Sequence, residues 1–224
     1  MVSESSTMMT VAVLGGTGKE GSGLALRWAQ AGYRVIIGSR EAAKAQGKAD
    51  EMNATLGAEI VTGLGNADAA AAADVVVLTV PYSAHMATLE TVKNAVQGKI
   101  VVDVTVPLQP PNVRTVYVPE EKAAALATQA FLGEGVRVVA AFENISASHL
   151  KKIDHSIDSD VLVCGDDDDA KEQVFCLVES ASMRGIDAGP LANAVAVEAM
   201  TAVLLYINKR YKVPGAGIRI TGIE

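Results

Sequence analysis

Six residues near the start of the chain, Gly16-Thr17-Gly18-Lys19-Glu20-Gly21, satisfy the pattern GxGxxG. The chemistry that this spacing serves is anion binding by the backbone. Gly16 lets the chain turn sharply, Gly18 lets main chain approach a diphosphate with no Cβ in the way, and Gly21 lets the next helix pack closely on a strand. A helix that begins here points unpaired N–H groups and the positive end of its dipole at the anion. The pattern alone is a weak signal. It gains force from the β-branched run before it and the amphipathic run after it.

At the end of the next apolar run stand Gly38-Ser39-Arg40, with Lys44 one helical turn on. Dinucleotide folds that prefer NAD place Asp or Glu there to hold the ribose hydroxyls. A carboxylate would repel a 2′-phosphate, whereas a hydroxyl, a guanidinium fork and an ammonium would bind one. The expected cofactor is therefore NADP. Glu41 competes as a ribose acceptor one position late, and a solvated helix start is the plainer account of Arg40 and Lys44.

Few other residues invite chemistry. His85 falls in a later helix, where it could assist proton balance or simply be a partly exposed helical histidine. His149 and His155 flank Lys151-Lys152 without metal-ligand spacing. Cys164 and Cys176 form no CxxC or Cys/His pattern. No metal site is expected, and both cysteines read as buried, reduced thiols. The acidic run 166–169 lacks the alternating ligands of a calcium loop and reads as a helix cap. No Ser/His/Asp or Cys/His nucleophile is in view.

The elements that must position these residues alternate. Residues 10–14 read as a strand, 23–31 as a helix stopped by Gly32, and 34–38 as a second strand. Helix 42–56, strand 59–62, short helix 66–72, strand 74–80, helix 83–96 and strand 99–104 follow. The segment 106–119 holds four of the seven prolines and reads as a loop. Helix 121–132 and strand 136–142 complete an open, mostly parallel sheet covered on both faces, a Rossmann-type doubly wound α/β fold. After residue 142 the rhythm weakens. Strands at 161–164 and 186–187, a helix over 169–182, a long apolar helix from 191 to about 209 and a Gly-rich tail make a small C-terminal α/β segment. The expected division is a disordered lead over 1–9, a dinucleotide-binding domain over 10–145, and a small C-terminal domain over 146–224 closing a cleft.

The totals agree. A chain of 224 residues, half apolar and one-fifth charged, has ample material for a core. Aromatics make up only 4%, so Val, Ile, Leu and Ala must do the packing, as in parallel strands buried between helices. A net charge of −7 without a concentrated basic cluster argues against nucleic acid. The N-terminus lacks an apolar signal core, and the apolar stretch 191–207 is interrupted by Asn193 and Glu198. Neither export nor a membrane span is expected, and the expected location is the cytoplasm. The same stretch is more apolar than a solvent-facing helix, which burial within the monomer would explain and a homodimer seam would explain as well.

From Val11 to about Gly217 the chain resembles the F420:NADP oxidoreductases, the NADPH-dependent reductases of the deazaflavin coenzyme F420. The resemblance rests on an ordered set of pieces: Val13-Leu14-Gly15-Gly16-Thr17-Gly18, Gly38-Ser39-Arg40 with Lys44, Thr62-Gly63 with Asn66, Leu78-Thr79-Val80-Pro81, Val163-Cys164-Gly165-Asp166-Asp167-Asp168, and Asp187-Ala188-Gly189-Pro190-Leu191. It implies that Thr17, Ser39, Arg40 and Lys44 grip the 2′-phosphate end of NADP. Thr79, Val80 and Pro81 would meet the nicotinamide side, with His85 near. The deazaflavin would enter a cleft lined by Val106, Pro107, Glu143, Asn144, Ile145, Ala147, Pro190 and Leu191. Gly215 and Gly217 of the tail could approach its ring, and Tyr82 keeps an aromatic residue common after the strand-four proline. One departure matters. Where such reductases often carry His or Asn, a small residue and Ile-Pro, this chain has Glu143-Asn144-Ile145-Ser146. A carboxylate beside an electron-rich ring is unfavourable unless it is hydrogen-bonded or protonated.

The expected function is hydride transfer between NADP(H) and F420. Two rings that already hold their reactive carbons ask mainly for proximity and exclusion of water, so no catalytic side chain is expected. An NADP-dependent reductase of a small carbonyl or imine, with Glu143 and Asn144 as binding or proton-transfer groups, and a non-catalytic NADP-binding redox sensor are the alternatives.

Overall fold

The computed structural model describes residues 9–153 and 155–223. Apart from Met9, the lead expected to be disordered lies outside the described residues. Strand and helix alternate from the start: β1 (Thr10–Leu14), α1 (Lys19–Gln30), β2 (Arg34–Ser39), α2 (Ala42–Leu56), β3 (Val61–Gly65), α3 (Asn66–Ala72) and β4 (Val75–Leu78). A 3-10 turn (Tyr82–Ala84) leads into α4 (His85–Val92), then come β5 (Ile100–Asp103), α5 (Ala124–Leu132), β6 (Arg137–Ala140), α6 (Ala147–Leu150), β7 (Asp160–Gly165), α7 (Asp168–Ser180) and β8 (Arg184–Asp187). A second 3-10 turn (Leu191–Asn193) opens α8 (Ala194–Tyr211).

The sheet order is β3-β2-β1-β4-β5-β6-β7-β8, parallel throughout except where β7 runs antiparallel to β6. Connections reverse direction between β1 and β4, and in doubly wound sheets the carboxyl ends of the strands at such a point form the ligand crevice. Successive residues of each strand serve opposite faces. Val11, Val13, Val75 and Val77 pack beneath α1, α2 and α7, while Ala12, Leu14, Val76 and Leu78 pack beneath α3, α4, α5 and α8. The C-terminal strands β7 and β8 extend this sheet.

Several expectations shift, α1 starting at Lys19 rather than 23 and α5 at Ala124 rather than 121 among them. Strand three begins at Val61 rather than 59, because its glycines hid its far end; a Cβ on Gly63 would collide with the backbone of Ala45 and Gln46, so only glycine lets α2 lie this close. The helix expected over 83–96 is a 3-10 turn followed by eight α-helical residues. Cys176 is exposed, against the expectation of two buried thiols; Cys164 is buried and pushed up to about 12, chiefly by desolvation. The acidic run does cap a helix: Asp167 accepts the Ala170 N–H at 2.7 Å.

Candidate functional site

The loop between β1 and α1 is tied to its neighbour. Gly15 and Gly16 both donate to the Gly38 carbonyl, at 3.0 and 3.2 Å, which sets the glycine-rich turn beside the end of β2. The sharp reversal falls on Gly15, at φ +75°, one residue before the position expected from the motif. Gly21 meets its expected demand: an added Cβ would collide with Thr79 Oγ1 and come within 2.9 Å of Gly16 Cα. Gly18 is the N-cap of α1, and the first-turn N–H groups of that helix take no side-chain cap.

Ser39 ends β2, with its hydroxyl accepting the Glu41 N–H at 3.3 Å. Arg40 and Lys44 are exposed beyond it. Lys44 Nζ lies 2.6 Å from Glu41 Oε1, so Glu41 is paired across an exposed helix start. Such pairs are weak in water and easily exchanged for a stronger anion.

On the far side of the turn stand Thr79, Val80 and Pro81. The Thr79 hydroxyl donates to the Leu14 carbonyl at 2.8 Å, so it holds strands together. These residues, with Gly18, Lys19 and Glu20, line a cleft of about 420 Å³. A second cavity of about 310 Å³ lies beside it, the two sharing Glu20, Val104, Val106 and Leu108 as walls. Glu143, Asn144, Ile145 and Ala147 line the second cavity. Pro107 lines neither cavity, while its neighbours Val106 and Leu108 line both.

Pro190 and Leu191 lie elsewhere. Leu191 is buried among the core side chains under α8, its N–H bonded to Asp166 Oδ1 at 2.9 Å, and Pro190 is exposed. The cavity meets α8 at its middle instead, through Thr201, Leu204, Leu205 and Asn208. Their spacing at i, i+3, i+4 and i+7 is the stripe that could have found them. Gly215 and Gly217 pack against protein, beside Ser146 with His149 and beside Ser159, and it is Ala216 that reaches the cavity.

His85 is neither part-exposed nor in the cleft wall. Only 1% exposed, it places Nε2 2.9 Å from both Asp103 Oδ2 and Thr128 Oγ1. Burial would raise the Asp103 pKa, but bonds from His85, Thr128 and the Thr105 N–H outweigh it and hold this carboxyl below its ordinary value. The cluster joins α4, β5 and α5 beneath the site.

Three further carboxyls are raised. Desolvation lifts Glu20 to about 8 and Glu198 to about 8. Glu143, 4% exposed, is raised well above the usual carboxylate range by desolvation first and then by Glu198, with only its own N–H pulling the other way. The buried guanidinium of Arg27, on α1, gathers the loop beyond α6 by donating to the carbonyls of His149, Leu150, Lys152 and His155, and reaches Ala181 at 2.7 Å. Among the described residues no cluster of His, Cys, Asp or Glu could hold a metal ion.

The glycine-rich turn and the recess thus lie on two cavities with shared walls, and Ser39, Arg40 and Lys44 stand at the end of the neighbouring strand. A family model described as NADP oxidoreductase, coenzyme F420-dependent, matches residues 10–107. The F420-dependent NADP reductase of Methanothermobacter thermautotrophicus is 44% identical over 223 residues, covering 96% of each chain. That of Methanothermobacter marburgensis is 43% identical over 222 residues, covering 96% of this chain and 99% of its own. A solved structure from Arthrobacter sp. FB24 superposes with a TM-score of 0.78 at 24% identity, covering 95% of this chain and 99% of its own, a likeness of fold.

Proposed function

The chain belongs to the F420-dependent NADP reductase family, and from that premise we infer that its crevice carries hydride between NADP(H) and the deazaflavin coenzyme F420. The observation that carries this reading is the shared wall: Glu20, Val104, Val106 and Leu108 border both the cleft beside the glycine-rich turn and the recess under α8. Two ring systems entering from opposite ends would meet there.

The residues present fit an NADP molecule. The uncapped start of α1 would take the diphosphate, and Gly21 preserves the close packing that aims those N–H groups. Ser39, Arg40 and Lys44 would hold the 2′-phosphate, with Lys44 leaving Glu41 for the stronger anion. Thr79, Val80 and Pro81 would flank the nicotinamide. NADPH supplies the hydride when bound. The chain's own part is to set the distance between the rings and to exclude water, through Val104, Val106, Leu108 and the α8 leucines. The segment 146–224 acts as the closing wall, because α8 and the tail at Ala216 complete the recess.

By length and composition alone the helix Leu191–Tyr211, with mean hydropathy 1.5, could cross a bilayer. Here its Glu198 is tied into α5 and its leucines wall the recess. Its outer face leaves Met200, Val203, Tyr206 and Tyr211 exposed, and a second copy of the chain covering them would give a homodimer. Sedimentation of a monomer at working concentration would remove the dimer. A cytoplasmic setting suits the two free cysteines.

Mixing the protein with NADPH and oxidised F420 tests the activity directly. Bleaching of the deazaflavin's visible band is the expected result. Tight NADPH binding with no bleaching would shift the assignment to a carbonyl or imine substrate.

A further inference from the structure

Among the described residues, seven buried side-chain polar atoms have no hydrogen-bond partner, and four of them belong to residues lining the recess: both carboxyl oxygens of Glu143, Oε1 of Glu20 and Oδ1 of Asn144. Buried polar atoms are nearly always paired, so a cluster of orphans around one cavity marks where a ligand completes the bonding.

Everything else about this segment is tied down. Phe142 sits at φ +76°, a left-handed conformation that a bulky residue adopts only where its surroundings hold it. Its ring stands edge-on to Trp28 at 5.8 Å between centroids, and its carbonyl accepts the Ile145 N–H at 3.0 Å. The Glu143 carbonyl accepts the Thr201 hydroxyl at 2.6 Å, and Asn144 Nδ2 donates to the Asp160 carbonyl at 2.7 Å. The backbone is held from three sides while the Glu143 carboxyl, buried and without a hydrogen-bond partner, lies in the wall of the recess.

The groups facing that carboxyl give it no counter-charge. Asp103 on β5 acts on it as a negative charge and Glu198 on α8 adds a second once it ionises, Glu20 on α1 shares the cavity, and the Cys164 thiol on β7 is neutral. No Lys, Arg or His is among the residues lining the recess. An ion there would lack both water and a partner, so the resting group is the carboxylic acid. Asn144 Oδ1, its amide fixed by Asp160, offers an acceptor beside that donor.

We propose that Glu143 is the proton donor of the reaction, giving its carboxyl proton to the acceptor ring as hydride arrives, and taking it back in the reverse direction. The inference rests on the F420 reading above. Overall, NADPH, oxidised F420 and one proton give NADP+ and reduced F420. Two electrons and one hydrogen nucleus leave NADPH as hydride, the C–H bond forms on the deazaflavin, and the Glu143 O–H bond breaks to neutralise the charge the ring gains. The carboxylate recovers a proton from water after product leaves. Hydride still moves by proximity; the proton does not.

The test compares wild type with Glu143→Gln, which keeps shape and a donor but has no proton to give. Reduction of F420 by NADPH should slow on the order of a hundredfold, the range for losing a general acid. The wild-type rate should fall on the alkaline side, where the acid ionises, and the reverse reaction should rise there. Both limbs should vanish in Glu143→Gln. Infrared difference spectra of the ligand-free proteins supply a readout independent of turnover: wild type should show the carbonyl stretch of a protonated carboxyl that Glu143→Gln lacks. A near-normal kcat with the wild-type pH profile in Glu143→Gln would overturn the proposal while leaving the F420 reading intact. So would limbs that vanish in Glu20→Gln but persist in Glu143→Gln, or an infrared signature of an ionised Glu143. Failure of wild type to bleach F420 at all would defeat the underlying reading, and this proposal with it.

Discussion

Glu198 reaches from the second turn of α8 to the start of α5, where its Oε2 accepts the Ala124 N–H at 2.7 Å and its Oε1 accepts the Ala125 N–H at 2.9 Å. One buried carboxyl thus caps a helix it does not belong to, and fixes the element that walls the recess. Glu198→Ala would strand two buried N–H groups and should destabilise the fold by about 1–3 kcal/mol, read as a lowered urea midpoint. An unchanged midpoint would show that α8 is held by its apolar contacts alone.

Glu20 and Glu198, both raised to about 8, give the ligand-free protein a stability that falls as pH rises. Their ordinary value is 4.5, so between there and about 8 the folded chain keeps protons that the unfolded chain has released. Unfolding therefore releases protons across that window, and alkali favours it. Tm should decline from pH 5 to pH 8, and the Glu20→Gln, Glu198→Gln double variant should flatten that decline. A Tm rising over the same range would contradict it.

At the acid end the sign reverses. Asp160 is held below its ordinary value chiefly by Arg184, whose Nη2 lies 2.6 Å away, and by the Ile220 N–H at 2.6 Å. Its contribution is present above pH 4 and lost as pH falls through its depressed value. Asp160→Asn should weaken the seat of the C-terminal tail against β7. Faster proteolysis after residue 212 is the expected readout, and an unchanged cleavage rate would count against this tether.

Arg40→Ala should weaken NADP binding about tenfold to a hundredfold, since a charge-assisted hydrogen bond is worth roughly 1.5–3 kcal/mol. NAD binding should be spared. Equal losses for both dinucleotides, measured by titration calorimetry, would mean that Arg40 does not read the 2′-phosphate.

Arg27 is not replaceable by lysine. Its planar guanidinium serves five carbonyls on α6, the loop beyond it and the end of α7, and an ammonium has neither the spread nor the donors. Arg27→Lys should destabilise by at least about 2 kcal/mol, because buried carbonyls would be left unpaired. Denaturant unfolding that matches wild type would refute the clamp.

The doubly wound sheet was legible in the order of the residues. Apolar β-branched runs alternating with helical periods leave few other ways to bury both faces, and α2 and α3 fall where the pattern puts them. The glycine-rich turn was legible too, because a tight turn between strand and helix depends on local spacing, and Ser39, Arg40 and Lys44 fall at the end of β2 and the start of α2 by their order in the chain. What the tertiary structure decided is which distant residues meet. Leu191 went to the core and Pro190 to the surface, while Thr201, Leu204, Leu205 and Asn208 came to the recess, since the point where α8 crosses the sheet is set by packing. His85 became a buried partner of Asp103 for the same reason. The state of Glu143 follows from desolvation and from charges on α8 and β5, none of them its neighbours in sequence. Spacing along the chain governs what a segment can form; burial and charge, which set a group's chemistry, exist only once segments far apart have packed.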